Sequence, residues 1–280
     1  MRAESAKLTG QHGANRVADS KAVEVGGRAG FAARGVIYAL VGVLAVRIAF
    51  SDGGGQQADR GGALAEIAHK PFGSVLLWLL GAALAGMALW RLSEAVIGQP
   101  GEDGDKAGKR LAAAGRAVFY GFVSYSVLAY AVGEKTSGSG SSDKRTDDVT
   151  AKALGWPGGQ WILSVAGIGV ACAGVWIAVR ALMRKFHKHL EMARMSERER
   201  RVVDFLGMFG GASRGVLFAT AGGFAVAAAV QHEPGKSKGM DDTLRSFAHT
   251  PAGPWLLVVI AVGLVAFGLF SWANARWRTV

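Results

Sequence analysis

Six apolar runs, each near the length that crosses a bilayer, constrain the fold of this chain more than any other feature. They lie at about residues 31–50, 73–92, 117–133, 161–182, 214–230 and 255–273. An α-helix rises 1.5 Å per residue, so about 20 apolar residues span the roughly 30 Å of hydrocarbon in a membrane. Half of all residues are hydrophobic, and polar segments separate the runs. The sequence therefore predicts an all-α integral membrane protein with six transmembrane helices.

The distribution of charge predicts the topology. With the N-terminus placed in the cytoplasm, the cytoplasmic segments hold 22 of the 32 Lys and Arg residues and the whole net charge of +11. The opposite side is then formally neutral. This is the positive-inside pattern, which favours membrane topology over nucleic-acid binding as the reason for the basic composition. We expect a multi-pass protein of the bacterial plasma membrane with both termini cytoplasmic.

Three arginines stand at equivalent points before the odd-numbered runs. Arg34 in "AARGVIY", Arg116 in "AGRAVFY" and Arg214 in "ASRGVLF" each lie between small residues, with an aromatic residue four positions later. One interpretation is anchoring, because long arginine side chains at a membrane surface reach lipid phosphates. The other is a ring of three arginines that binds an anionic headgroup or solute, or that pairs with Glu94 at the inner end of the second helix.

The even-numbered runs repeat as well. "HKPFGSVLLW", "GWPGGQWILS" and "HTPAGPWLLV" align without a gap, and the matching residues are Pro71, Pro157 and Pro251 with Gly73, Gly159 and Gly253. Proline is tolerated in the first turn of a helix, so each proline is expected to mark the outer start of an even-numbered helix. A short segment with one apolar face precedes each proline and predicts a surface helix. We expect three repeated hairpins in a pseudo-threefold arrangement.

The repeats divide the chain into five segments. Residues 1–28 form a polar, basic tail without the apolar core of a signal peptide, so the first span is expected to direct insertion. Between repeats two and three, Ser196 and Glu199 match a helix-capping box within a basic, amphipathic connector. We expect the tail at 1–28, repeat one at 29–98, repeat two with its cytoplasmic linker at 99–182, the connector at 183–209 and repeat three at 210–280.

Residues that could carry chemistry are few. His69 and His249 occupy equivalent outer positions and could bind a divalent metal if the repeats converge, whereas bonds to backbone carbonyls are the alternative. The single cysteine excludes an intrachain disulfide. HExxH and P-loop motifs are absent from the sequence. We therefore expect neither enzymatic activity nor a cofactor.

The chain resembles a bacterial, largely actinobacterial, membrane-protein family known as domain of unknown function 1206. The resemblance rests on "RGVIY", "GRAVFY" and "SRGVLF", on "ALAEIAHKPFG" with its repeats, and on the connector "RKFHKHLEMARMSERERR". It covers about residues 26–278 and implies three tandem two-helix repeats in the plasma membrane. The second repeat departs locally, because Gly155 stands where the others have histidine. The resemblance implies no activity.

Two functions remain open at this point. The first is a non-catalytic scaffold or accessory subunit that engages anionic lipid headgroups at the cytoplasmic face or a partner protein, and does not bind nucleic acid. The alternative is a small channel or carrier with a pathway between the three repeats. The scarcity of ionisable residues inside the spans favours the first, since ion-coupled pathways usually contain intramembrane carboxylates or histidines.

Overall fold

The fold is seen in a computed structural model that describes residues 21–50, 57–98, 106–133, 142–248 and 253–278. Within these ranges the chain forms six long α-helices and three short ones. The long helices are α1 (Lys21–Phe50), α3 (Gly73–Ile97), α4 (Ala107–Ala131), α6 (Gly159–Leu182), α7 (Glu197–Gln231) and α9 (Gly253–Trp277). The short helices are α2 (Arg60–Ala68), α5 (Ser142–Leu154) and α8 (Met240–Ala248).

All six long helices have the length and hydropathy needed to cross a membrane. The prediction of an all-helical, multi-pass membrane protein is therefore confirmed. Three spans begin well before their apolar runs, at Lys21 in α1, Ala107 in α4 and Glu197 in α7. Charged residues such as Arg, Lys and Glu are good helix formers, so the helix continues beyond the hydrocarbon-length segment. The predicted capping box is present at the start of α7, where Ser196 and Glu199 cap each other.

The six spans are arranged as an open ring in chain order. Helix α1 packs against α3 and α9, α3 packs against α4, and α7 packs against α9 and α6. The two spans of repeat two are the exception, because the described parts of α4 and α6 do not pack along each other. We call the space between them the α4/α6 opening. Repeats one and three are thus packed hairpins, while the spans of repeat two each pack on a neighbouring repeat.

Small residues allow the closest helix crossings. A Cβ atom added to Gly215 in α7 would lie 2.6 Å from the Gly174 carbonyl oxygen in α6, which is closer than a side chain permits. In the sequence, small residues recur at four-residue spacing from Gly215 through Ala219 and Gly223 to Ala227, a pattern typical of close helix packing, and the contact at Gly215 agrees with it. Gly223, two steps further along the same series, instead has open space beside it. The spacing alone does not show where along α7 the neighbouring helix α6 moves out of contact.

The turns before the even-numbered spans differ in detail from the prediction. Pro71 and Pro157 lie two residues before the helices, in the turn that joins each short helix to its span. Gly73 and Gly159 are the first helical residues, and a Cβ on Gly73 would lie 2.5 Å from the Ile67 carbonyl oxygen. Glycine therefore lets the span start directly against the end of the short helix. Gly253 begins α9, and Pro251 lies outside the described residues.

The first part of the connector folds back against the end of the bundle before α7 begins. Residues 185–189 and 192–194 form short 3-10 turns, and α7 begins only at Glu197. Leu190 pairs with Arg278 in an isolated β-bridge, and the Glu191 amide donates to the Trp277 carbonyl over 2.9 Å. We call this end of the bundle the arginine end, and the end that carries α2, α5 and α8 the short-helix end.

Candidate anion-binding site

Arg34 in α1 points into the bundle. Its Nε atom donates to the Ser271 hydroxyl over 3.1 Å, and Nη1 donates to the Tyr120 hydroxyl of α4 over 3.5 Å. The guanidinium also lies over the Phe267 ring, 5.1 Å from its centroid. This cation–π contact and the two hydrogen bonds hold the charge between α1, α4 and α9.

Arg214 in α7 makes an equivalent set of contacts. Its Nε atom donates to the Tyr38 hydroxyl of α1 over 3.0 Å. The guanidinium lies 4.9 Å from the centroid of Phe267 and 5.2 Å from that of Phe218. Phe267 of α9 therefore lies between Arg34 and Arg214 and contacts both. These two predicted ring members are engaged within the protein.

The third arginine has no such partner. Arg34 donates to Tyr120, which lies four residues after Arg116. Arg214 donates to Tyr38, which lies four residues after Arg34. By the same rule Arg116 would bond residue 218, which is phenylalanine and has no hydroxyl. The Arg116 side chain is exposed and makes no hydrogen bond or ion pair among the residues that the structure describes. The structure thus separates Arg116 from the other two predicted residues.

Glu94, near the C-terminal end of α3, forms an ion pair with Arg91. The Nη1 and Oε2 atoms are 2.5 Å apart, and both side chains are about 95% buried (5% and 6% exposed). Arg91 also lies over the Trp90 ring, 4.1 Å from the centroid. Its Nε atom is buried and has no hydrogen-bond partner. The sequence indicates Arg91 or Arg34 as the partner of Glu94; the structure contains the pair with Arg91, while Arg34 bonds hydroxyl groups.

Arg278 reaches the same region from the end of α9. The guanidinium lies over the rings of Phe31 and Trp90, at 5.0 Å and 5.3 Å from their centroids. Its Nε atom is also buried without a hydrogen-bond partner. Burial, followed by the nearby charge of Arg91, lowers the pKa of Arg278 to about 9, which leaves the guanidinium charged at pH 7.

Four arginines therefore converge at the arginine end, and we call them the arginine cluster: Arg91, Arg116, Arg180 and Arg278. Arg116 interacts electrostatically with Arg91 and Arg180, and Arg278 interacts with Arg91 and Arg116. The carboxylate that recurs in these interactions is Glu94, which is already paired. The cluster brings together α3, α4, α6 and the C-terminal end of α9, and it carries excess positive charge.

His189 of the connector faces the same cluster. Burial, followed by the charges of Arg278 and Arg180, lowers the pKa of His189 to about 4. The imidazole is therefore neutral at pH 7. A neutral ring next to arginines can still donate one hydrogen bond, and it adds no further charge.

This arrangement is suited to binding an anion. A buried N–H group without a partner costs about 1–3 kcal/mol, and neighbouring like charges repel each other. A phosphate or carboxylate group would relieve both costs, because arginine binds such oxygens through its fork of N–H donors. Arg91 was identified from the sequence only as a candidate partner of Glu94, and Arg180, Arg278 and His189 were not identified. The available signal was their common position at the ends of three helices and in the connector.

The predicted metal ligands do not form a site in the described residues. The exposed ring of His69 shares a hydrogen bond with the Ala65 carbonyl oxygen through Nδ1, over 2.7 Å. His249 lies outside the described residues. Across the described ranges, the structure contains no group of three or more His, Cys, Asp or Glu side chains that could hold a metal ion.

Comparisons with known proteins agree with the repeat structure. The chain is 27% identical over 247 residues to the uncharacterized protein YxxB of Bacillus subtilis (strain 168), which covers 88% of this chain and 87% of that protein. No solved structure matches the chain. A family profile matches residues 29–98, 111–184 and 209–278, so each match spans one pair of long helices. The chain therefore belongs to the family described as Domain of Unknown Function (DUF1206), as three tandem copies of its two-span repeat.

Proposed function

We propose that the protein is a non-catalytic scaffold or accessory subunit of the plasma membrane that binds an anionic, phosphate-type group at the arginine cluster. Both termini lie in the cytoplasm in this proposal, and the three repeats surround a pseudo-threefold axis along the membrane normal. The cluster then opens to the cytoplasmic surface, where phosphate-bearing lipids and solutes are available.

The observation that carries the proposal is the pair of buried, unpartnered Nε atoms of Arg91 and Arg278. Each belongs to a guanidinium that is oriented by a tryptophan ring and held in a fixed position. Fixed donors without acceptors, in a region of excess positive charge, are what an anion site requires before its ligand arrives.

The packing of the interior supports this function over the channel alternative. Val41, Leu217 and Leu264, from α1, α7 and α9, are almost fully buried in one hydrophobic cluster. Towards the arginine end, Phe267 lies between Arg34 and Arg214. A solute moving between these helices would have to displace packed apolar side chains, which costs free energy and provides no polar path.

The test uses the full chain in lipid nanodiscs made only of phosphatidylcholine. Inorganic phosphate or phosphatidylglycerol is added, and thermal stability is recorded. A ligand that binds only the folded state stabilises it by about 2.7 kcal/mol at 100 times its Kd. We expect stabilisation of the wild type by at least one of the two anions, and a loss of affinity of about tenfold in Arg278→Gln.

Arg201→Gln is the matched control, since Arg201 lies near the start of α7 with its side chain 83% exposed. It removes the same charge from the same end of the bundle, away from the cluster. We expect it to bind as the wild type does. If neither anion stabilises the wild type more than it stabilises Arg278→Gln, the proposed anion-binding function is wrong.

A further inference from the structure

We propose that the anion is the phosphate of a bilayer phospholipid, which enters sideways through the α4/α6 opening and lies with its headgroup between Arg116 and Arg180 and one acyl chain between α6 and α7. This inference rests on the proposed function and identifies the class of ligand that the arginine cluster binds.

The two arginines at the opening lack partners. Arg116 belongs to α4 and Arg180 to α6, so both lie at the arginine end on the two helices that border the opening. Neither makes a hydrogen bond or an ion pair among the described residues. The nearby carboxylate of Glu94 is paired with Arg91, so the positive charge of these two arginines favours an anion at that point.

The set of arginine–tyrosine bonds is incomplete at the α4/α6 opening. Tyr120 and Tyr38 supply hydroxyl acceptors for the arginines of repeats one and three. Phe218 supplies none for Arg116. A phosphate oxygen at the opening would provide the acceptor that the phenylalanine lacks, in a position that the protein leaves accessible from the side.

An apolar groove lies on α6 and α7 towards the short-helix end. It is a cavity of about 290 Å³, and Phe218, which contacts Arg214, lines the part of it nearest the arginine end. From Leu217 to Ala225, its first and last lining residues on α7, the helix rises about 12 Å, most of the roughly 15 Å thickness of one hydrocarbon leaflet. Ala166 and Ala221 present small side chains to the groove, whereas Gly167 and Gly222 lie where the two helix backbones cross.

The surroundings of the opening favour a lipid over a soluble anion. Large apolar side chains are exposed on both helices that border it: Phe119 and Phe122 on α4, and Trp176 and Val179 on α6. In a membrane such side chains face hydrocarbon. A phospholipid brings its own apolar chains to these surfaces, so its phosphate can reach the arginines from the bilayer.

Native mass spectrometry of the full chain tests the inference. The probes are phosphatidylglycerol and phosphatidylcholine with identical palmitoyl and oleoyl chains, and the soluble competitor is glycerol 1-phosphate. We expect one phosphatidylglycerol to be retained about tenfold more tightly than phosphatidylcholine. Arg116→Gln and Arg180→Gln should each weaken its retention at least fivefold, while the exposed control Arg201→Gln should not. Equal retention of the two lipids by the wild type would overturn the inference.

Two further variants test the acyl-chain groove and the missing hydroxyl. Ala221→Phe fills the groove and should reduce phosphatidylglycerol retention at least fivefold, whereas Ala173→Phe, on the exposed face of α6, should not. Phe218→Tyr restores a hydroxyl and should also reduce retention. The thermal stability of each variant shows whether reduced lipid retention comes from loss of the binding site or from unfolding of the protein.

The outcomes distinguish this inference from the function on which it rests. If glycerol 1-phosphate displaces phosphatidylglycerol and Ala221→Phe binds as the wild type does, the ligand is a soluble anion and only the lipid inference is overturned. If no anion, lipid or soluble, binds the wild type better than Arg278→Gln, the proposed function is overturned with it.

Discussion

The guanidinium of Arg214 donates a hydrogen bond to the Tyr38 hydroxyl over 3.0 Å and so joins the third repeat to the first across the bundle interior. The two side chains come from α7 and α1, which are separated by α9. Phe267 of α9 lies between them, with its ring 4.8 Å from that of Tyr38. The bond therefore couples two spans that pack against α9 more than against each other.

Removing this hydroxyl should destabilise the bundle. We expect Tyr38→Phe to lower the free energy of unfolding by about 1 kcal/mol, because the half-buried Arg214 would lose its hydroxyl acceptor. Denaturant titration in mixed micelles measures the change. Tyr125→Phe is the matched control, since the Tyr125 side chain is 60% exposed on α4, and it should leave stability unchanged. Equal stability of the two variants would contradict a role for the hydrogen bond.

Glu94→Gln should separate stability from anion binding. The substitution removes the carboxylate from a buried ion pair and leaves the Arg91 charge uncompensated, so we expect a loss of about 3 kcal/mol of stability. The same change increases the positive charge of the arginine cluster. Affinity for phosphatidylglycerol or phosphate should therefore rise. A fall in both quantities would indicate that Glu94 organises the site and does not compete with the ligand.

Acidification should destabilise the protein through His189. The folded pKa of His189 is lowered to about 4, mainly by burial and then by Arg278, Arg180, Arg91 and Arg116. The unfolded chain binds a proton near pH 6.5 and the folded protein only near pH 4. Stability is therefore complete above pH 6.5 and decreases as the pH falls from 6.5 to 4. Melting temperatures of His189→Asn over this range should decrease less than those of the wild type, and an identical slope would refute the assignment.

The crossing of α6 and α7 should not tolerate a side chain at Gly215. A Cβ there would lie 2.6 Å from backbone atoms of α6, so Gly215→Leu must push the helices apart. We expect a loss of at least about 1–3 kcal/mol, as is typical of overpacking. Gly223→Leu in the same helix is the control, because nothing lies within 4 Å of its Cβ position. Thermal unfolding in detergent should show a lower midpoint for the first variant alone.

Much of the fold could be predicted because it depends on local properties. Hydropathy over about 20 residues identifies a span, and Ser196 with Glu199 identifies a helix start. The starts of α3 and α6 were placed two residues too early, since Pro71 and Pro157 were expected within the helices. In the structure, Gly73 starts the helix because its backbone approaches Ile67. That approach depends on the angle between two helices, which residue type does not encode.

The candidate site was predicted only in part. Arg34, Arg116 and Arg214 are equivalent in sequence, yet two bond tyrosines and one is exposed. The difference depends on residue 218, which is phenylalanine, and on the absence of packing between α4 and α6. Arg278 and His189 join Arg91 only because the connector bridges back to the end of α9.

The sequence by itself determined the membrane class, the six spans, the three repeats and the end at which the arginines gather, because each follows from short-range patterns of hydropathy, charge and helix capping. Only the tertiary structure decided which arginines are engaged, which remain available and where the ring opens. The physical reason is that a guanidinium's partners lie on other helices, so its hydrogen bonds are set by how repeats that are far apart in sequence pack together.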